Sequence, residues 1–362
     1  MSVIVTRVVV LVVATTVLWL NNETQVAEAS DGTGDDEVIR INKHTIRCIL
    51  VLGDSSVDPG NNNRLPTTTK SNFIPYGIDF FHGRPSGRFC NGRLATDYLA
   101  EAFGYTDSVR AFLDPAITKK DLLHGVSFAS AGSGYDELTA NLSSVIPMWK
   151  QLEYLRHYKI HLRNLVGTQE AEEIIRNNTL FVVSAGTNDF LLNYYSDSTR
   201  SKQYSIEQYM NYLISRMRTV IKTMRSLGAR KVVVVGVPPL GCMPIVRTLR
   251  NVEKCDIESN KLAFRFSSKI RRESKMLGRW TLFLDINTII LNAIQNPKRY
   301  GFVETLKGCC GSGTYEYGEM CKGMSICSDR TKYVFWDAVH PSQNMYKIIA
   351  DSALELLLKH TF

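Results

Sequence analysis

The sequence predicts an α/β fold, a mainly parallel sheet of about five strands with helices on both faces. Two observations lead there: five short apolar runs recur along the chain, and amphipathic stretches of helical period separate them. The runs are continuous rather than alternating, as expected of strands covered on both sides. Parallel neighbours need long crossover connections, and the intervening helices supply them.

The first run, 48–52, is Cys48-Ile49-Leu50-Val51-Leu52, closed by Gly53. A weaker run spans 125–130, and further runs fall at 180–185, 231–237 and 281–286. The third and fourth contain Phe181-Val182-Val183 and Val232-Val233-Val234-Val235, side chains that suit a pleated, buried surface. Helical stretches lie at 93–103, 148–165, 206–227 and 257–277, with a last one after Ser342. In 206–227, Ile206, Tyr209, Met210, Leu213, Ile214 and Met217 recur at i, i+3 and i+4, and Gly228 supplies a C-terminal stop.

Ahead of the sheet, Arg7 precedes an apolar stretch over 8–20, followed by the small residues Ala27-Glu28-Ala29. That is the layout of a secretory signal peptide, too short to span a bilayer as a helix. Residues 1–29 are read as the signal, 30–44 as a flexible polar lead-in, and 45–362 as one domain. After signal cleavage no transmembrane segment is predicted, so the expected location is extracellular, with the cell wall as one destination.

Composition agrees with a globular protein: 44% hydrophobic and 22% charged residues in 362. The formal charge of +8 is scattered, with no basic run longer than Lys119-Lys120 or Arg271-Arg272, so nucleic-acid binding is not predicted. The eight cysteines include no C-x-x-C pair, which disfavours zinc, and an exported chain favours disulfides. A Cys242–Cys255 bridge is expected. Cys309, Cys310, Cys321 and Cys327 are expected to pair among themselves in one of three ways, and Cys48 reads as a buried free thiol. Asn141-Leu142-Ser143 and Asn177-Asn178-Thr179 have the form of N-glycosylation acceptors.

In a parallel sheet the ligand crevice lies beyond the carboxyl ends of the strands. Four loci fall there. Ser55, in Gly53-Asp54-Ser55-Ser56, follows the first run, and Gly132 follows the second. Asn188, in Gly186-Thr187-Asn188-Asp189, follows the third. Asp337 and His340, in Asp337-Ala338-Val339-His340, precede the C-terminal helix. A serine hydroxyl needs a base to take its proton, an imidazole serves, and an acid on the other ring nitrogen orients it. The negative oxygen of a tetrahedral intermediate needs preorganised donors. The Ser55 N–H, the Gly132 N–H and the Asn188 side-chain amide are the candidates. Asp189 reads as a backbone-binding cap, and Asn61 to Asn63 as loop-shaping residues.

Asp-x-x-His also occurs at Asp79–His82 and Asp121–His124. The second of these precedes a strand, at the wrong edge of the sheet. The first lies in a Gly- and Pro-rich loop.

Taken together, the blocks at 53–63, 125–134, 186–189, 236–242 and 337–340 make the chain resemble the plant-type GDSL esterases/lipases of the SGNH hydrolase superfamily. The resemblance covers nearly all of the mature chain. It implies a three-layer α/β/α sandwich of flavodoxin-like type, with a Ser55–His340–Asp337 triad and an oxyanion hole of Ser55, Gly132 and Asn188. It also implies no metal or cofactor and a small-molecule, lipid or polysaccharide ester as substrate. Two positions depart from it. Ser56 stands where the name-motif has leucine, a side chain expected to pack beneath the nucleophile, and Ser127 stands where asparagine is frequent. Gly-x-Ser-x-Gly, the elbow of α/β-hydrolases, is absent from the sequence.

The leading expectation is a secreted serine esterase working through an acyl-enzyme. One rival is an acyltransferase using the same triad on a sugar, polyol or phenolic acceptor; another is a secreted binding protein with a degenerate site. Phe73, Phe80 and Phe81 could line an acyl tunnel or simply pack a loop.

Overall fold

The computed structural model describes residues 45–360, so the expected signal (1–29) and lead-in (30–44) lie outside the described residues. The central sheet has six strands: β1 Cys48–Gly53, β2 Arg110–Ala111, β3 Val126–Ser127, β4 Thr179–Ser184, β5 Val232–Val235 and β6 Thr281–Leu284. Their order is β2-β3-β1-β4-β5-β6, and every pairing is parallel. The five expected strands are all present. The sixth, β2, is two residues long, too short for any period to register.

The continuity of the runs has the expected cause: all six residues of β1 and all six of β4 are buried. Each Ile, Leu, Val or Phe side chain so buried contributes roughly 1.5–3 kcal/mol of transfer free energy. Helices cover both faces. One layer holds Met148–Val166, Ile206–Ser226 and Ile257–Leu277; the other holds Ala95–Ala102, Ile286–Gln295 and Gln343–Lys359. Ile206–Ser226 begins with a capping box, Ser205 with Gln208, and ends before Gly228, at φ +114°.

A second, two-stranded parallel sheet has no counterpart among the sequence expectations: β7 Glu304–Gly308 beside β8 Tyr333–Phe335. It corrects one placement. Asp337 and His340 follow β8, not a strand of the central sheet. β7 has only one fully buried residue and β8 is three residues long, so neither reads as a buried run.

The three disulfides are Cys242–Cys255, Cys309–Cys327 and Cys310–Cys321. The first is the expected bridge, and the other two select one of the three open pairings. Cys48 is a buried free thiol, as expected, and so is Cys90. Asn141 and Asn177 are both exposed. Among the described residues no helix is long and apolar enough to cross a membrane.

Candidate active site

Local geometry at the end of β1 sets the position of Ser55. Gly53 has φ +150°, and a Cβ there would lie 2.0 Å from the Ser184 carbonyl oxygen, so only glycine fits. From the neighbouring helix, Gln151 reads both backbone groups of Gly53. Its Oε1 accepts from the N–H at 2.8 Å and its Nε2 donates to the carbonyl at 2.9 Å. Asp54 N–H donates to Ser184 O at 3.0 Å. With the turn held from two sides, Ser55 is left nearly buried, its hydroxyl 2.8 Å from His340 Nε2.

The imidazole is fixed in turn. His340 Nδ1 lies 2.8 Å from Asp337 Oδ2 and 2.9 Å from Oδ1. The segment between them is closed by Trp336 N–H donating to His340 O at 2.8 Å. Asp337 Oδ1 also accepts from the Val339 and His340 N–H groups, at 2.8 and 2.7 Å. The three-residue spacing therefore brings carboxylate and imidazole together within one turn. Phe89 backs the imidazole, with ring centroids 4.8 Å apart.

Beyond the triad-like set stands Tyr76, which the sequence did not single out. Its hydroxyl donates to Asp337 Oδ2 at 2.7 Å and accepts from Gly318 N–H at 2.7 Å. Tyr76 is fully buried. Burial first, then the adjacent Asp337 carboxylate, hold the phenol well above its ordinary pKa, so it stays a donor. It lies in an irregular loop, and no motif or period marks it.

Gly132 and Asn188 line one cavity together with Ser55 and His340. Gly132 has φ +84°, and a Cβ there would come within 3.1 Å of Ser143. Asn188 Nδ2 donates to Ser133 O at 2.9 Å, and since a side-chain amide carries two N–H bonds, one remains. The Asn61 to Asn63 block that read as loop-shaping is a set of tethers. Asn61 Nδ2 donates to Ser127 O and Ala129 O, Asn62 Nδ2 to Ala131 O, and Asn63 Nδ2 to Ser86 O. Asp58 accepts from the Gly60, Asn61 and Ala131 N–H groups. The segment carrying Gly132 is thus bound to the segment carrying Ser55.

Asp189 binds backbone, as anticipated. It accepts from Tyr135 N, Asp136 N and Thr139 Oγ1 at 2.8, 3.0 and 2.6 Å, anchoring the helical start beside Asn188. Burial raises Asp189 to about 7 and Asp58 to about 6, against the pull of these donors.

Ser56 does not simply leave a burial deficit under the turn. Its hydroxyl donates to Asp54 Oδ1 at 2.7 Å and pairs with Ser184 Oγ at 2.8 Å. Burial pushes the Asp54 carboxyl upward. Ser127 is likewise employed, donating to Val57 O at 2.9 Å.

The other Asp-x-x-His pairs are structural. Asp79 forms a bidentate ion pair with Arg330 while His82 is exposed. Asp121 belongs to the N-terminal box of Lys119–His124, and His124 faces Arg47 O. Phe73, Phe80 and Phe81 line neither cavity beside Ser55. Phe80 and Phe81 pack on each other, and Phe73 sits edge-on to Tyr76.

With this geometry in view, residues 49–353 match the family model described as GDSL-like lipase/acylhydrolase. The chain belongs to that family. A GDSL esterase/lipase of Arabidopsis thaliana is 53% identical over 316 residues, covering 86% of this chain and 88% of its own. A second Arabidopsis GDSL esterase/lipase is 43% identical over 317 residues, covering 84% of each chain. Among solved structures, the acetylxylan esterase Axe2 of Geobacillus stearothermophilus aligns with a TM-score of 0.41 at 12% identity, covering 87% of this chain and 96% of that one. Membership makes this GDSL protein a carboxylic ester hydrolase.

Proposed function

We propose that the chain is a secreted serine esterase whose nucleophile is Ser55. One observation carries the reading: the unbroken relay from Ser55 Oγ through His340 to the buried Asp337 carboxylate, every link 2.9 Å or shorter. In the first half-reaction His340 Nε2 takes the Ser55 proton as Oγ bonds the ester carbonyl carbon. The carbonyl oxygen becomes an oxyanion facing the Ser55 N–H, the Gly132 N–H and the free N–H of Asn188. The C–O bond to the alcohol then breaks, and the alcohol leaves with the proton from His340. Water repeats the sequence on the acyl-enzyme and releases the acid. Asp337 keeps the imidazole in the tautomer that presents Nε2 to Ser55. Three disulfides and the leader-like residues 1–29 support export, and the exposed Asn141 and Asn177 would then be glycan acceptors.

The test uses the secreted full chain with a fluorophosphonate probe and short p-nitrophenyl esters. Wild type takes the label and turns over ester. Ser55→Ala loses the label and, like His340→Ala, at least ~10⁴ of kcat. Undiminished turnover in Ser55→Ala would remove the nucleophile from this residue. Asn188→Ala lowers kcat by about 100- to 1,000-fold with little change in melting temperature.

A further inference from the structure

Two cavities meet at the Ser55 hydroxyl, and Ser55, Asn188, Val339 and His340 border both. The wider, about 230 Å³, reaches solvent past exposed Ser196 and Leu249, the latter 73% exposed. The narrower, about 50 Å³, has no exposed residue in its wall. Its wall includes the apolar side chains of Met243, Ile286, Ile290 and Ile349. Also in its wall, the Ser56 and Ser184 hydroxyls are paired with each other, and Ser56 with Asp54.

An ester bound at Ser55 has two arms and finds two cavities. The arms differ in what the chemistry requires of them. The alcohol must depart after the first half-reaction, and water must reach His340 by the vacated path. The acyl arm stays bonded to Ser55 throughout and needs no exit until the end. The wider cavity, with exposed Ser196 and Leu249 in its wall, suits the first; the narrower, with no exposed residue in its wall, suits the second.

We infer that the narrow cavity is the acyl subsite, and that this chain acts on esters of short, apolar acyl groups with bulkier, hydroxyl-bearing alcohols. The inference rests on the reading of Ser55 as nucleophile. A water-sized group occupies about 10–15 Å³ by this measure, so the cavity takes an acyl tail of about two to four carbons. The wider cavity mixes hydroxyl-bearing Thr69, Ser143 and Tyr317 with apolar Leu191, Leu192 and Ile245, a wall that fits an alcohol with both apolar surface and hydroxyl groups. Ser56 helps set the limit. Leucine, the residue of the family's name-motif, would project into space that the serine hydroxyl, turned to Asp54 and Ser184, leaves free.

Chain-length profiles at a constant p-nitrophenyl leaving group test this, using acetate, butyrate and octanoate with fluorophosphonate labelling alongside. Wild type loses about tenfold or more in kcat/KM from butyrate to octanoate. Ile290→Ala, which lengthens the narrow cavity, raises the octanoate-to-butyrate ratio about tenfold, and Ser56→Leu lowers the butyrate-to-acetate ratio by a similar factor. Should Ile290→Ala not fold, the half-buried Ser56→Leu carries the comparison. Octanoate turned over as well as butyrate by wild type overturns the assignment, as do ratios unmoved in the variants. Labelled protein with a flat profile removes only the acyl subsite; folded wild type with neither label nor turnover removes the nucleophile as well.

Discussion

In the proposed triad Tyr76 adds one hydrogen bond behind Asp337 and touches neither Ser55 nor the His340 ring nitrogens, so its role there is positioning. Its O–H is a charge-assisted donor to Asp337 Oδ2, an interaction worth about 1.5–3 kcal/mol. Tyr76→Phe is expected to lower kcat roughly tenfold with KM unchanged. The acidic limb of the kcat/KM–pH profile moves to higher pH, because a carboxylate without that donor holds the imidazolium proton more tightly. A purely structural tyrosine would lower the melting temperature and leave the limb in place, and that result would sink the assignment. At this scale the sequence was legible where residue types cluster in short motifs, as at Ser55, Asn188 and Asp337–His340. Tyr76 and Gln151 were not, since each acts across a long sequence separation on a group no local pattern reveals.

The element that holds Tyr76 is the doubly bridged segment after β7. Gly318, which donates to the Tyr76 hydroxyl, begins the short helical turn Gly318–Cys321 that ends on the Cys310–Cys321 disulfide. The same segment grips the Asp337–His340 loop directly. Cys309 and Cys310 N–H donate to Trp336 O at 2.8 and 2.9 Å, and Ala338 N–H donates to Glu316 O at 2.9 Å. Removing Cys310–Cys321 by the double serine variant is expected to cost about 2–4 kcal/mol of stability and to shift the acidic limb as Tyr76→Phe does. Removing Cys242–Cys255 lowers the melting temperature by a similar amount and leaves the limb unmoved. Equal pH profiles for the two double variants would show that the late knot acts through stability alone. This element escaped the sequence reading because glycine, cysteine and short β stretches carry no period, and four cysteines admit three pairings.

For the whole molecule, buried carboxylates set the expected pH response. Asp58 and Asp189, raised by burial to about 6 and about 7, bind a proton more tightly folded than unfolded. Their contribution to stability is therefore present below the ordinary carboxylate range and is lost as pH rises through about 6 to about 7. Asp58 faces Arg88, and Asp189 faces Asp136, itself paired with Arg200. Glu172, lowered to about 2 mainly by Arg163, acts with the opposite sign, but only in the acid range. The melting temperature is expected to fall between about pH 5 and about pH 8, and Asp189→Asn should flatten part of that slope. A melting temperature that rises across the interval would contradict the sign.

Residue type and period by themselves determined the parallel α/β architecture, since continuous apolar runs between amphipathic helices have few other ways to bury both strand faces. They also placed the candidate site, because β1, β3 and β4 end where its motifs lie. Tertiary structure alone decided the strand preceding Asp337, the disulfide pairing, the long-range holds of Tyr76 and Gln151, and the two unequal cavities at Ser55. Those depend on which distant segments meet, and a cavity is the space that packing leaves between them.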